Sequence, residues 1–150
     1  MNAEEVTPLL GHAKALRAAV EAVAAPFRDS GVDRVLGIES RGFLFGTPVA
    51  IALGAGFGLV RKEGRLPWRT HRVDYQLEYG QDAVEMHVDT VEPGQRVLVV
   101  DDLIATGGTA AAAVQLAREA GAEVVGASFL IELAALGGLA RLHDVPRTHV

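Results

Sequence analysis

The stretch from Arg96 to Thr109, Arg-Val-Leu-Val-Val-Asp-Asp-Leu-Ile-Ala-Thr-Gly-Gly-Thr, constrains the fold more than any other part of the chain. It opens with an uninterrupted apolar run, too short for a helix and rich in β-branched residues. That is the profile of a strand buried on both faces of a parallel sheet. Two adjacent carboxylates, Asp101 and Asp102, follow where the strand should end, and then come Thr106, Gly107, Gly108 and Thr109. Behind them lies the helix-forming run from Ala110 to Arg118. Strand, acidic pair, glycine-rich turn and helix in this order predict a doubly wound α/β domain, with a mostly parallel sheet flanked by helices.

Each part of the stretch suits a phosphorylated sugar. Glycines let the backbone turn tightly and bring its N–H groups close to an anion. The following helix adds roughly half a positive charge and unpaired N–H donors at its N-terminus, and Thr106 and Thr109 add hydroxyls. Asp101 and Asp102 repel a phosphate, so they must face something else. Ribose hydroxyls or a hydrated Mg²⁺ fit, because both want oxygen acceptors.

Composition bounds the alternatives. The 150 residues fit one domain with a real core, and a hydrophobic share of 49% with only 5% aromatic makes that core Val, Leu, Ile and Ala. A formal charge of −5 argues against a nucleic-acid partner, which normally meets a basic face. Zero cysteines rules out disulfide and thiol chemistry. No apolar run approaches a membrane span and Met1 to Glu5 does not read as a signal peptide, so a cytoplasmic protein without a membrane partner is expected.

Elsewhere the pattern is ordinary until charges collect at strand ends. Thr7-Pro8 reads as N-cap and first helical position, and Leu9, Ala13, Leu16, Val20, Val23 and Phe27 predict one continuous helix. Val35 to Ile38 reads as the first buried strand, leading through Glu39-Ser40-Arg41-Gly42-Phe43 into a small-residue helix from about Leu44 to Leu53. Gly54-Ala55-Gly56-Phe57-Gly58 is no dinucleotide fingerprint, because a helix precedes it and a strand follows. Arg61, Lys62 and Arg65 are predicted on a loop at a carboxyl strand end, where open α/β sheets bind ligands; solvated charges are the bland reading.

Trp68 to Asp82 mixes aromatic and acidic groups and predicts an irregular excursion, a lid or binding loop. Val84, Met86 and Val88 then alternate with Glu85, His87 and Asp89, a half-exposed strand with His87 toward solvent. Val124 to Ile131 is another buried strand, and Leu133, Leu136, Leu139 and Leu142 predict a helix weakened by Gly137-Gly138. The five histidines show no metal-ligand spacing.

These motifs resemble those of type I phosphoribosyltransferases. Arg96 to Thr109 is similar to their phosphoribosyl-pyrophosphate motif. Gly-Ile-Glu-Ser-Arg-Gly-Phe-Leu-Phe-Gly, Arg-Lys-x-Gly-x-Leu-Pro and Tyr-x-Leu-Glu-Tyr-Gly resemble segments of the adenine-specific branch. The resemblance implies transfer of a 5-phosphoribosyl group from phosphoribosyl pyrophosphate to adenine in purine salvage, with Mg²⁺ as cofactor, in a homodimer. Ala105, Thr106, Gly107, Gly108 and Thr109 would hold the 5-phosphate, and Asp101 and Asp102 the ribose and Mg²⁺, which is held mainly through the substrate. Glu39, Ser40, Arg41, Arg61, Lys62 and Arg65 would serve pyrophosphate, with a cis peptide at Glu39–Ser40. Tyr75 and Tyr79 would flank catalytic Glu78 on a mobile loop.

The family normally starts with Phe-Pro-x-Pro-Gly and Phe-x-Asp ahead of Ile-Thr-Pro-Leu-Leu. Only Val6-Thr7-Pro8-Leu9-Leu10 is matched here, so a reduced hood over the base is expected, and a last strand between 145 and 150 stays open. Another purine base, or a non-enzymatic phosphoribosyl-pyrophosphate binder, are the alternatives.

Overall fold

A computed structural model describes residues 1–77, 79–142 and 144–149. A seven-stranded sheet has the spatial order β3-β4-β2-β1-β5-β6-β7. Its parallel part is β2 (Gly56–Lys62), β1 (Arg34–Ile38), β5 (Arg96–Ile104), β6 (Glu123–Glu132) and β7 (Arg147–His149). β3 (Thr70–Leu77) and β4 (Gly80–His87) form an antiparallel hairpin that joins the sheet where β4 pairs with the end of β2. From β1 the chain runs outward one way to β2 and the other way through β5, β6 and β7. The switch point therefore lies between β1 and β5, where open α/β sheets bind ligands outside the carboxyl strand ends.

Helices cover both faces. α1 (Val6–Leu10), α2 (Ala13–Ala24) and α3 (Arg41–Leu53) lie on one face, with Val23, Phe27, Phe45 and Val49 packed against Leu98 and Val100. α4 (Gly108–Glu119) lies on the other, with Ala113, Leu116 and Ala117 against Leu36, Val97 and Val99. Alternate residues of β5 thus serve opposite layers, which is why its sequence reads as continuously apolar. Each fully buried Val, Leu or Phe contributes about 1.5–3 kcal/mol of transfer free energy. Among the described residues no helix is long and apolar enough to cross a membrane.

Four expectations change. The first helix is broken at Gly11-His12 into α1 and α2, so Thr7 lies inside α1 and does not cap it. Trp68 to Asp82 is no irregular excursion. From Thr70 it is strand, paired residue for residue with β4 from Thr70–His87 to Leu77–Gly80. Val73 and Tyr75 are its buried positions, and polar neighbours on the other face obscure that period of two. His87 does not simply face water: β4 lies between β3 and β2, Trp68 packs edge-on 6.3 Å away, and the imidazole Nε2 is buried. After β6 there is no α-helix among the described residues: Leu136, Leu139 and Leu142 fall in two 3-10 turns, Ala134–Leu136 and Gly138–Leu142, separated by Gly137 at φ +65°, and Leu133 precedes them. β7 forms alongside β6.

Candidate active site

The strand ends at the switch point enclose a cavity of about 240 Å³. Glu39 follows β1, Lys62 ends β2, Asp101 lies near the end of β5, and Ala105 to Thr109 close the far wall. Arg61 and Lys62, expected on a loop, are the last two residues of β2.

Strand geometry gives the acidic pair two different surroundings although its carboxylates stay close. The alternation that sends Leu98 and Val100 toward α3 carries on to Asp102, which is buried, with its Oδ2 2.8 Å from Arg41 Nε off the hydrogen-bond direction. Asp101 has the parity of Val97 and Val99 and lines the cavity, its Oδ1 accepting a 2.8 Å hydrogen bond from the Asp102 N–H. Burial, with the Asp102 carboxylate alongside, pushes the Asp101 carboxyl well above the ordinary range. A positive group in the cavity relieves that penalty.

The loop 105–109 is shaped by close approach. Gly107 caps α4 at φ +85°, and a Cβ there would lie 2.5 Å from the Gly138 carbonyl oxygen. Gly138 is as tightly held, since its own Cβ would meet the Ala105 carbonyl oxygen at 2.3 Å. The C-terminal 3-10 turn therefore braces the loop from behind. It also delivers the exposed Arg141, whose Nη1 lies 3.3 Å from where a Gly108 side chain would begin.

The other cations are already engaged. Glu39 Oε1 accepts from the Lys62 N–H at 2.6 Å and lies 3.3 Å from Arg61 Nε, and its Oε2 is 3.8 Å from Arg65 Nη1. Glu39 therefore holds cations at the cavity mouth, and the peptide between it and Ser40 is cis. Lys62 Nζ donates to Asp82 Oδ2 at 2.7 Å and to the Tyr75 hydroxyl at 2.5 Å. Burial works against its charge, but the hydrogen bonds to Asp82 and Tyr75 outweigh that and hold Lys62 above the usual lysine value. The Lys62 contact in turn lowers Asp82.

Of the sequence-predicted site residues, Glu39, Lys62, Asp101 and 105–109 line the cavity together. Ser40, Arg41, Arg61, Arg65 and Asp102 stand behind or beside it. Tyr75 is a buried β3 residue, Tyr79 is 92% exposed at the hairpin turn, and Glu78 lies outside the described residues. Sequence reasoning missed Asp82, Gly138 and Arg141. Asp82 had one signal, its place opposite Tyr75 once the hairpin register is known. Among the described residues no three His, Cys, Asp or Glu side chains cluster as a metal cage.

Known proteins share this sequence pattern and fold. The phosphoribosyl transferase domain profile matches residues 9–144. The adenine phosphoribosyltransferase of Rhodopirellula baltica is 56% identical over 138 residues, 92% of this chain and 67% of that protein. The crystal structure of the Rhodothermus marinus adenine phosphoribosyltransferase superposes with a TM-score of 0.94 at 54% identity, covering 96% of this chain and 82% of its own. The Saccharomyces cerevisiae enzyme, solved with adenine and an imino-altritol bisphosphate, gives 0.89 at 37% identity, over 95% and 83%. The switch-point cavity, its braced glycine loop and these likenesses agree, and the chain belongs to the phosphoribosyltransferase family, in its adenine phosphoribosyltransferase branch.

Proposed function

We propose that the chain transfers the 5-phosphoribosyl group of phosphoribosyl pyrophosphate to N9 of adenine, forming AMP and pyrophosphate in purine salvage. The observation that carries this is the cavity itself, which sets an acceptor carboxylate, Asp101, facing an anion loop at a helix N-terminus with Lys62 at its edge. The relatives' name and the adenine held by the yeast structure support the choice of base.

The backbone N–H groups of 105–109 grip the 5-phosphate, and that remote binding energy positions the anomeric carbon. Arg141 adds charge on the same side. Asp101 accepts hydrogen bonds from the ribose hydroxyls. Lys62, Arg61, Arg65 and Arg41 exchange their carboxylate partners for oxygens of the leaving diphosphate, and Glu39 and Ser40 shape the turn that presents them. Glu78, with Tyr79 beside it, accepts a hydrogen bond from the purine as N9 attacks.

A Mg²⁺ fits these residues only as a shared ion. No protein cage exists among the described residues, while the crowded Asp101 and Asp102 carboxylates favour a cation. Asp101 would touch an ion held mainly by the donor's own oxygens, and that ion would neutralise the leaving diphosphate. Exposed Leu44 and Ile51 on α3 offer an apolar face for the second copy of a homodimer.

The test is product analysis. Donor, adenine, Mg²⁺ and the chain should give AMP and pyrophosphate in equal amounts. Donor loss without AMP would overturn the assignment.

A further inference from the structure

Tyr75 stands where three parts of the site meet. Tyr75 is 8% exposed, and its hydroxyl touches three polar groups from three elements. Lys62 Nζ from β2 donates to it at 2.5 Å, and Thr109 Oγ1 from the anion loop donates to it at 3.0 Å. The hydroxyl donates to Asp82 Oδ2 of β4 at 3.3 Å. A tyrosine hydroxyl has one proton and two acceptor sites, so every hydrogen-bonding capacity of this oxygen is used. Removing or reversing any one of these bonds changes what the other two can do.

The Thr109 bond has a consequence for ligand binding. While the Thr109 proton points at Tyr75 it is not available to a phosphate oxygen. An anion on the loop draws that proton to itself, and the Thr109 oxygen can then accept from Tyr75 instead. The tyrosine proton leaves Asp82, and the carboxylate that restrains Lys62 loses one of its two side-chain donors. Occupation of the anion loop is thereby felt by the cation at the opposite, leaving-group end of the cavity. We propose that Tyr75 is a positioning residue that couples the 5-phosphate loop to Lys62 through its hydroxyl, with Asp82 as the second anchor of the lysine.

This rests on reading the cavity as the donor site. Two sites linked this way must show a mutual coupling free energy, and a double-mutant cycle measures it. Phosphoribosyl pyrophosphate affinity is measured by calorimetry for the wild type, Lys62→Met, Thr109→Val and the double variant. The same four are then repeated in a Tyr75→Phe background, where the buried ring is kept. With Tyr75 present, the double variant should differ from the product of the single effects by about threefold or more. In the Tyr75→Phe background, the two effects should multiply independently. Tyr75→Phe alone should raise the donor KM several-fold while kcat moves less than about twofold, a split that general loosening of the hairpin would not produce. Independent effects in the tyrosine background, or equal coupling in both, would overturn the proposal while leaving the donor site standing. A wild-type chain that does not bind the donor would overturn the reading of the site and the proposal with it.

Discussion

At the scale of single residues, burial and a like-charged neighbour act together on the acidic pair. Asp101 and Asp102 are adjacent, yet the pleat of β5 turns one into the cavity and the other toward Arg41. Burial raises the Asp101 carboxyl, and the Arg41 charge offsets little of that rise. Asp101→Asn should therefore keep the fold or raise the melting temperature at neutral pH, while turnover falls by orders of magnitude. Thermal unfolding and steady-state kinetics on the one variant check both halves. Asp82 behaves oppositely. The Lys62 hydrogen bond lowers it, so its contribution to stability is fully present above the ordinary carboxyl value of about 3.9 and fades as pH falls through the lower folded value. Asp82→Asn should remove that part of the acid limb, and a melting-temperature profile across acid pH should be flatter than the wild type's. The acid pair itself was plain in the sequence. Which acid meets which cation was not, because Asp82 and Lys62 are twenty positions apart and only the hairpin register brings them together.

At the scale of elements, the strand–loop–helix unit from Arg96 to Glu119 was legible because its signals are local: an apolar run, a glycine that needs positive φ, and a helix-forming tail. The hairpin and the C-terminal turns were not. β3 hides its alternation behind Arg72, Asp74 and Gln76, and the leucines after Glu132 mimic a helical stripe although a left-handed Gly137 interrupts it. Those turns brace the anion loop, which gives them a testable role without substrate contact. Gly138→Ala would place a methyl 2.3 Å from the Ala105 carbonyl oxygen and 2.8 Å from Ile104 Cγ1, forcing the loop backbone to move. A cost of about 1–3 kcal/mol in stability is expected for overpacking of this kind. Donor affinity should fall with it, by about tenfold, as read by calorimetry at a temperature where the variant is fully folded. Unchanged affinity in a folded variant would mean that the loop holds its shape without the brace.

At the scale of the molecule, the parallel sheet brings Glu39, Lys62, Asp101 and residues 105–109 together at its carboxyl strand ends. The switch between β1 and β5 opens the crevice, α4 points its N-terminus into it, and the antiparallel hairpin on the β2 side brings Tyr75 and Asp82 to its rim. The doubly wound architecture follows from the alternation of buried strands and helices and was foreseeable; the antiparallel edge depended on long-range pairing. The chain spans 67% of the Rhodopirellula baltica relative and 82% of the Rhodothermus marinus structure, and the family profile over residues 9–144 contains the cavity-lining residues. This cavity is proposed to join adenine to phosphoribose. Pyrophosphate release, followed continuously with donor and Mg²⁺ and with adenine, hypoxanthine, guanine or xanthine offered in turn, tests it directly. Rapid release with adenine, at least about tenfold faster than with any other base, is the predicted result; equal or faster release with another base, or none with adenine, would contradict it.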